Sequence, residues 1–290
     1  MGAGCLWGTF GVLAKAIYSA TTMGPLSIAL YRLAIAMPFL FALRLARRSS
    51  ISVTKSELPL FVAFGFFSLT LFQSLYFTSI AFTTVQHAAA LLYTAPAFVA
   101  VLAWIVLKEK LGGRKVVAVI LSIVGAFLIL GVGTSQGLFG SRTQIGDWLA
   151  VASGLAYSSW YIFGKVLGRK REPTVIALLG LFFGAILLVP IAVAFEGFTV
   201  PTSAVAWELI VAVGILPTAL AYSVYLTGLR YIEATKASVY AITEPVTSAF
   251  LAFYFFQETL TYQALLGFAL IIGSILLISA RVDESPQGKR

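Results

Sequence analysis

Residues 58 to 107 read LPLFVAFGFFSLTLFQSLYFTSIAFTTVQHAAALLYTAPAFVAVLAWIVL, 50 positions without one Asp, Glu, Lys or Arg. A single helix crosses the hydrocarbon of a bilayer in about 20 residues, so this stretch is read as two spans joined by a tight turn. Its apolar residues run continuously and do not alternate, which argues against barrel strands and for helices, the form in which backbone in lipid satisfies its own polar groups. The rest of the chain has the same character. Of 290 residues, 60% are apolar and 11% charged, whereas a soluble domain carries about 25% charged residues. A water-soluble fold is excluded.

Working outward, turn residues and charges divide the chain into ten apolar segments, at 1–18, 24–46, 57–82, 86–107, 113–132, 145–167, 173–195, 204–231, 235–256 and 261–281. The fold class expected is an all-α membrane protein. Pro25, Pro59 and Pro173 stand in the first turn of their segments, where the missing N–H costs little. Seventeen of the 20 basic residues gather on alternating segment ends: Arg44 to Lys55, Lys108 to Lys115, Lys165 to Arg171, Arg230 with Lys236, and the C-terminus. The positive-inside bias makes those ends cytoplasmic, both termini included. The net charge of +9 follows from that bias. It suits anionic lipid and asks for no nucleic-acid partner. The chain opens directly in an apolar stretch, so no cleaved signal peptide is expected, and the lone Cys5 permits neither an internal disulfide nor a cysteine metal cluster.

Gln73 to Leu111 realigns on Tyr222 to Leu260 at an offset of 149, pairing Tyr76 with Tyr225, Ala88 with Ala237, Thr94 with Thr243, Pro96 with Pro245 and Glu109 with Glu258. Segment 1 aligns on segment 6 at an offset of 150, setting Lys15 on Lys165 and Phe10 on Trp160. The domains expected are a first five-segment repeat over 1–132, a linker over 133–144, a second repeat over 145–281 and a cytoplasmic tail over 282–290. Five is odd, so the second copy runs inverted. Lys108-Glu109-Lys110 accordingly becomes Gln257-Glu258-Thr259, the same motif without its lysines. Inverted repeats place a binding site near the midplane, where rocking of the halves exposes it to each side in turn.

Trp7-Gly8 with Lys15, Arg32 in YRLAIA, and LYTAPAFVAVLAWIVLKEKL echoed by VYAITEPVTSAFLAFYFFQETL resemble the EamA family of the drug/metabolite transporter superfamily. Within it the sequence is similar to the YddG-type exporters of aromatic amino acids. The resemblance covers essentially the whole chain. It implies a ten-helix bundle in a bacterial inner membrane, with a cavity lined mainly by segments 1, 3, 4, 6, 8 and 9.

The candidate cavity residues are Gln73, Tyr76, His87, Tyr93, Trp160, Tyr222, Tyr225, Tyr240 and Glu244. Glu244 is the one acidic residue read as lying well inside a helix; an intramembrane carboxylate is costly enough to suggest substrate or proton handling, with an ion pair to Arg32 or Lys15 as the structural alternative. Arg32 and Lys15 are assigned to bracing and to snorkelling respectively. The deeper tyrosines are set against an aromatic belt of Tyr18, Trp148, Trp207, Tyr231 and Tyr262 at the membrane interfaces. Pro96 and Pro245 are read as kinks freeing the carbonyls of Leu92 and Ala241. Small residues in segment 5 (Ala118, Ser122, Ala126) and segment 10 (Ala269, Gly273) suit internal packing or dimerisation, with a monomer the simpler expectation.

An enzyme would need paired carboxylates, a metal cluster or an activated nucleophile, and a channel a ring of polar groups. Neither pattern occurs. A phosphorylated substrate would want several cavity cations. The expected function is therefore transport of a small amphipathic metabolite by alternating access, with aromatic amino acids first and hydrophobic-cation or drug efflux, or export of another amino acid, as alternatives. Proton coupling is optional, and no cofactor or metal is expected.

Overall fold

The computed structural model describes residues 1–46, 53–83, 85–129, 144–197, 199–257 and 261–279, with residues 46, 85–87 and 256 described by backbone only. All regular structure among them is helical: α1 (Gly2–Ala20), α2 (Pro25–Ala46), α3 (Leu58–Gly65), α4 (Phe72–Phe82), α5 (Val85–Leu92), α6 (Ala95–Leu102), α7 (Gly113–Ile129), α8 (Gln144–Gly168), α9 (Pro173–Glu196), α10 (Ala204–Gly214), α11 (Ala221–Leu229), α12 (Ala234–Ala241), α13 (Thr243–Phe256) and α14 (Tyr262–Ser279). Among the described residues six runs are long and apolar enough to cross a membrane: Pro25–Leu45, Lys55–Phe82, Ala88–Leu107, Pro173–Glu196, Ala204–Leu229 and Tyr262–Ser279. This is a multi-pass membrane protein. Of the other helices, α7 has 17 residues, α12 and α13 have 8 and 14, and α8 dilutes its apolar residues with Ser, Gly, Asp147 and Lys165.

The backbone repeats its irregularities at the offset seen in the sequence. A π-helical turn at Phe66–Leu71 joins α3 to α4, and its counterpart at Ile215–Leu220 joins α10 to α11. Wide turns loosen the backbone ladder, and in each a threonine hydroxyl repairs it. Thr70 donates to the Gly65 carbonyl at 3.3 Å and Thr218 to that of Val213 at 2.9 Å. Lys108 and Gln257, 149 positions apart, are the two non-glycine residues with positive φ among those described, at 59° and 55°.

Segments 4 and 9, read from sequence as kinked continuous helices, are instead broken. α5 ends at Leu92 and α6 starts at Ala95, while α12 ends at Ala241 and α13 starts at Thr243. Pro96 and Pro245 therefore sit in the first turn of a new helix, where proline is well tolerated. Equivalent threonines close both breaks, Thr94 donating to the Leu91 carbonyl at 2.6 Å and Thr243 to that of Tyr240 at 3.0 Å. The Leu92 carbonyl faces Gly154 of α8, and the Ala241 carbonyl faces Gly4 of α1.

Packing follows the same correspondence. α2 lies on α9 and α7 on α14, each helix against its own counterpart; α1 lies on α13 as α8 lies on α5 and α6. Where α7 crosses α14, a Cβ on Gly125 would stand 2.8 Å from the Gly267 carbonyl oxygen, and one on Gly267 2.5 Å from that of Gly125. Backbones this close need glycine on both sides. The small residues Ala118, Ser122 and Ala126 thus serve internal packing, whereas Ala269 is exposed and nothing stands within 4 Å of a Cβ on Gly273.

At the end of the bundle that gathers the basic residues, polar ties join one half to the other. Arg44, read from sequence as a rim residue, is 2% exposed and donates to Glu172 at 2.8 Å and to Thr174 at 2.9 Å. Glu57 pairs with Arg171, and Lys115 with Glu233 at 2.8 Å. The Glu109 carboxylate caps α12, accepting from the Ala234 N–H at 2.6 Å and the Thr235 hydroxyl at 2.9 Å. A carboxylate there meets free N–H groups and the favourable end of the helix dipole. Glu196 does the same for α2 at the opposite end, through the N–H groups of Leu26 and Ser27 at 2.8 and 2.9 Å. Elsewhere the exposed surface is apolar, as at Trp104, Ile105 and Val106 and their counterparts Phe253, Tyr254 and Phe255, which is what contact with lipid requires.

Candidate transport cavity

A cavity of about 120 Å³ lies at the centre of the bundle, walled by Trp7 and Phe10 of α1, Arg32 of α2, Phe72, Gln73 and Tyr76 of α4, Tyr93 in the break between α5 and α6, Tyr157 and Trp160 of α8, Tyr222 of α11 and Glu244 of α13. Both broken helices reach it through Leu92 and Glu244, and the π-helical turns at Phe66–Leu71 and Ile215–Leu220 through Ser68 and Pro217, while a third π-helical stretch, Ala103–Leu107, stays off it. Interrupted backbone is tolerated at membrane depth where it lines a cavity.

The walls are largely aromatic. Trp160 is buried with its ring centroid 4.4 Å from Tyr222 and 4.9 Å from Phe64, and Tyr157 stands 4.9 Å from Phe72. Beneath, Trp7 lies 5.2 Å from Tyr225, which meets Tyr161 edge-on at 5.3 Å. Tyr225 sits one turn beyond Tyr222 towards Leu229, where the Lys165 ammonium donates to the carbonyls of Leu229 and Ile232 at 2.7 and 2.5 Å. This aromatic layer and the ties behind it close the cavity towards the basic end.

Three polar groups interrupt the walls. Arg32 donates through Nη2 to the Gln73 carbonyl oxygen at 3.1 Å, and Gln73 donates in turn to the Leu69 carbonyl at 3.0 Å. The guanidinium also lies 5.1 Å from the Phe10 centroid, a cation–π contact. Its buried Nε has no partner among the described residues. Glu244 occupies the first turn of α13, not the middle of a helix as the sequence suggested, so the break supplies it with a helix N-terminus. Its carboxylate interacts with the Tyr93 hydroxyl and feels the charge of Arg32.

Of the expected residues, Gln73, Tyr76, Tyr93, Trp160, Tyr222 and Glu244 come together on the cavity. Tyr225 belongs to the layer below. Tyr240 does not line this cavity; its hydroxyl pairs with that of Ser279 of α14 at 2.8 Å, and with Tyr225 it borders a separate pocket beside the start of α1. It corresponds to Leu91, not to Tyr93, and two residues turn a side chain about 200° around a helix. Lys15 is exposed on α1, outside the lining. The side chain of His87 and all of Glu258 lie outside the described residues. Arg32, assigned to bracing, both braces Gln73 and faces the cavity. Only its unusual depth in an apolar segment hinted at this.

An aromatic-walled cavity with a few polar groups, bounded by broken helices in a lipid-embedded bundle, defines a multi-pass membrane transporter, not an enzyme. The EamA-like transporter family matches residues 1–131 and 144–280, and the chain belongs to that family, within the drug/metabolite transporter superfamily. It is 27% identical over 264 residues to an uncharacterized transporter of Archaeoglobus fulgidus, covering 90% of each chain. It is 26% identical to the uncharacterized transporter YwfM of Bacillus subtilis over 94% of this chain and 90% of that one. It is 28% identical to the uncharacterized inner membrane transporter YicL of Salmonella typhimurium, over 96% and 92% of the two chains. A protein solved by crystallography superposes with a TM-score of 0.84 over 96% of this chain and 94% of that one. At 21% identity, that is a likeness of fold.

Proposed function

We propose that the chain is a ten-span carrier built of two inverted five-span repeats, 1–132 and 145–281, with both termini cytoplasmic, which exports amphipathic metabolites, aromatic amino acids first, across a bacterial inner membrane. The observation that carries this reading is the central cavity, with aromatic walls and a guanidinium and a carboxylate among them. The self-pairing of α2 with α9 and of α7 with α14 is what a two-fold relation between halves produces and supports the inverted repeat. On this reading the closed basic end is the cytoplasmic gate, and the cavity faces outward. Alternation breaks the ties of Glu57, Arg44 and Lys115 to the second half, while the helix breaks and π-helical turns bend.

The test is uptake into proteoliposomes of labelled Phe, Trp, Thr and Glu. Preference for Phe and Trp is expected, and equal uptake of all four would overturn the aromatic assignment. Glu244, the carboxylate on the cavity wall, favours proton antiport as a second reading. If Glu244→Gln responds to a pH gradient as the unmutated carrier does, that reading fails.

A further inference from the structure

Two groups of opposite charge line the cavity, close enough to feel each other but joined by no ion pair among the described residues. Arg32 is held by Gln73 and Phe10, and its buried Nε–H has no acceptor among the described residues. Glu244 stands on a different helix, at the start of α13, with Tyr93 beside it. Among the described residues no ion pair joins them. A charge away from water is expensive, and two of opposite sign that line one cavity without a direct ion pair complement a ligand carrying both signs. A singly charged ligand would leave one of them unmatched, and a neutral ligand both.

Gln73 fixes the guanidinium, which presents further N–H groups in the fork geometry that suits a carboxylate. Glu244 accepts hydrogen bonds and matches an ammonium. The wall between them offers Trp7, Trp160 and Tyr222, whose faces suit an aromatic side chain.

We propose that Arg32 and Glu244 form a zwitterion site, in which Arg32 takes the α-carboxylate and Glu244 the α-ammonium of a free amino acid whose aromatic group packs on Trp160 and Tyr222. The assignment rests on the cavity being the substrate site. It makes Arg32 a specificity residue and explains why one cavity holds one cation and one anion.

The experiment measures binding to the full-length protein in detergent through the fluorescence of Trp7 and Trp160, with L-phenylalanine, phenethylamine, which lacks the carboxylate, and 3-phenylpropionate, which lacks the ammonium. Each charge-assisted contact should give phenylalanine an advantage of about tenfold or more over either analogue. Arg32→Gln should erase the advantage over phenethylamine and keep that over phenylpropionate. Glu244→Gln should do the reverse. Equal binding of all three ligands, or unchanged preferences in both variants, overturns the zwitterion site while leaving an aromatic carrier standing. No binding of any, with no uptake of labelled Phe or Trp by vesicles, overturns both. If Arg32→Gln is not recovered folded, Arg32→Lys decides, since it keeps the charge but loses the fork. A reduced preference over phenethylamine is then expected, and an undiminished one refutes the role.

Discussion

Replacing Gly8 by alanine tests the close packing of α1 on α13, the helix that carries Glu244. A Cβ built there would stand 2.6 Å from the Cβ of Thr247, 2.8 Å from the Glu244 carbonyl oxygen and 3.0 Å from the Ser248 nitrogen. Two of the three are backbone atoms, so relief requires α13 to withdraw from α1. Overpacking of this kind costs about 1–3 kcal/mol, and the better helix propensity of alanine returns about 1 kcal/mol. Gly273→Ala in α14 is the matched control, because nothing lies within 4 Å of its Cβ, and only the gain of about 1 kcal/mol remains. The two variants should differ by about 1–3 kcal/mol, Gly8→Ala melting below and Gly273→Ala at or above the unmutated protein. Apparent melting in detergent, followed by loss of the monodisperse peak at one heating rate, reads the order. Withdrawal of α13 also carries Glu244 off the cavity wall, so Gly8→Ala should lose uptake while Gly273→Ala keeps it. Unmutated melting and uptake in Gly8→Ala would refute the close approach of α1 to α13.

Other expectations concern the gate, the acid limb and a buried hydroxyl. With Cys5 replaced by serine, joining Glu57→Cys to Arg171→Cys with a short reducible bis-methanethiosulfonate cross-linker should block uptake until reduced; undiminished transport in the cross-linked protein would exclude gate opening at that pair. Glu233 pays for its partial burial, but the hydrogen bond and charge of Lys115 outweigh that cost and hold its carboxyl below the ordinary value of 4.5. Its contribution is thus present above that value and lost as pH falls through the lower, folded one. Glu233→Gln should flatten this acid loss by under about 1 kcal/mol, the group being part-exposed, and a melting profile unchanged below pH 5 would contradict it. The Tyr225 hydroxyl is buried without a partner among the described residues, so Tyr225→Phe should melt about 1 kcal/mol higher or unchanged. A clear loss of stability would reveal an acceptor for that hydroxyl.

The helical class was legible because lipid leaves a backbone little choice, and the 149-residue repeat because it survives in residue identities from Gln73 to Leu111. The π-helical turns were not, for Phe66–Leu71 and Ile215–Leu220 share position but hardly any residues. Pro96 and Pro245 marked the right places in segments 4 and 9. A proline in a first turn and a proline in a kink look alike in sequence, however, and the threonines that close the breaks separate the two. Arg44 stands at the basic end as its sequence position indicated, but its burial was not legible because its partner, Glu172, lies 128 positions away. For the cavity, helical spacing found Gln73 and Tyr76, but Tyr240 was chosen by residue type; its counterpart Leu91 already pointed to a packed face.

The glycine crossing of α7 and α14 has a mechanical consequence. Rotation about a point displaces atoms in proportion to their distance from it, and here no side chain separates the two backbones. The crossing is thus a tight joint, and any side chain added there must tilt α7 against α14, moving their far ends by more than the gap it opens. A bulky residue at Gly125 or Gly267 would act as a wedge between the two helices, away from the cavity lining.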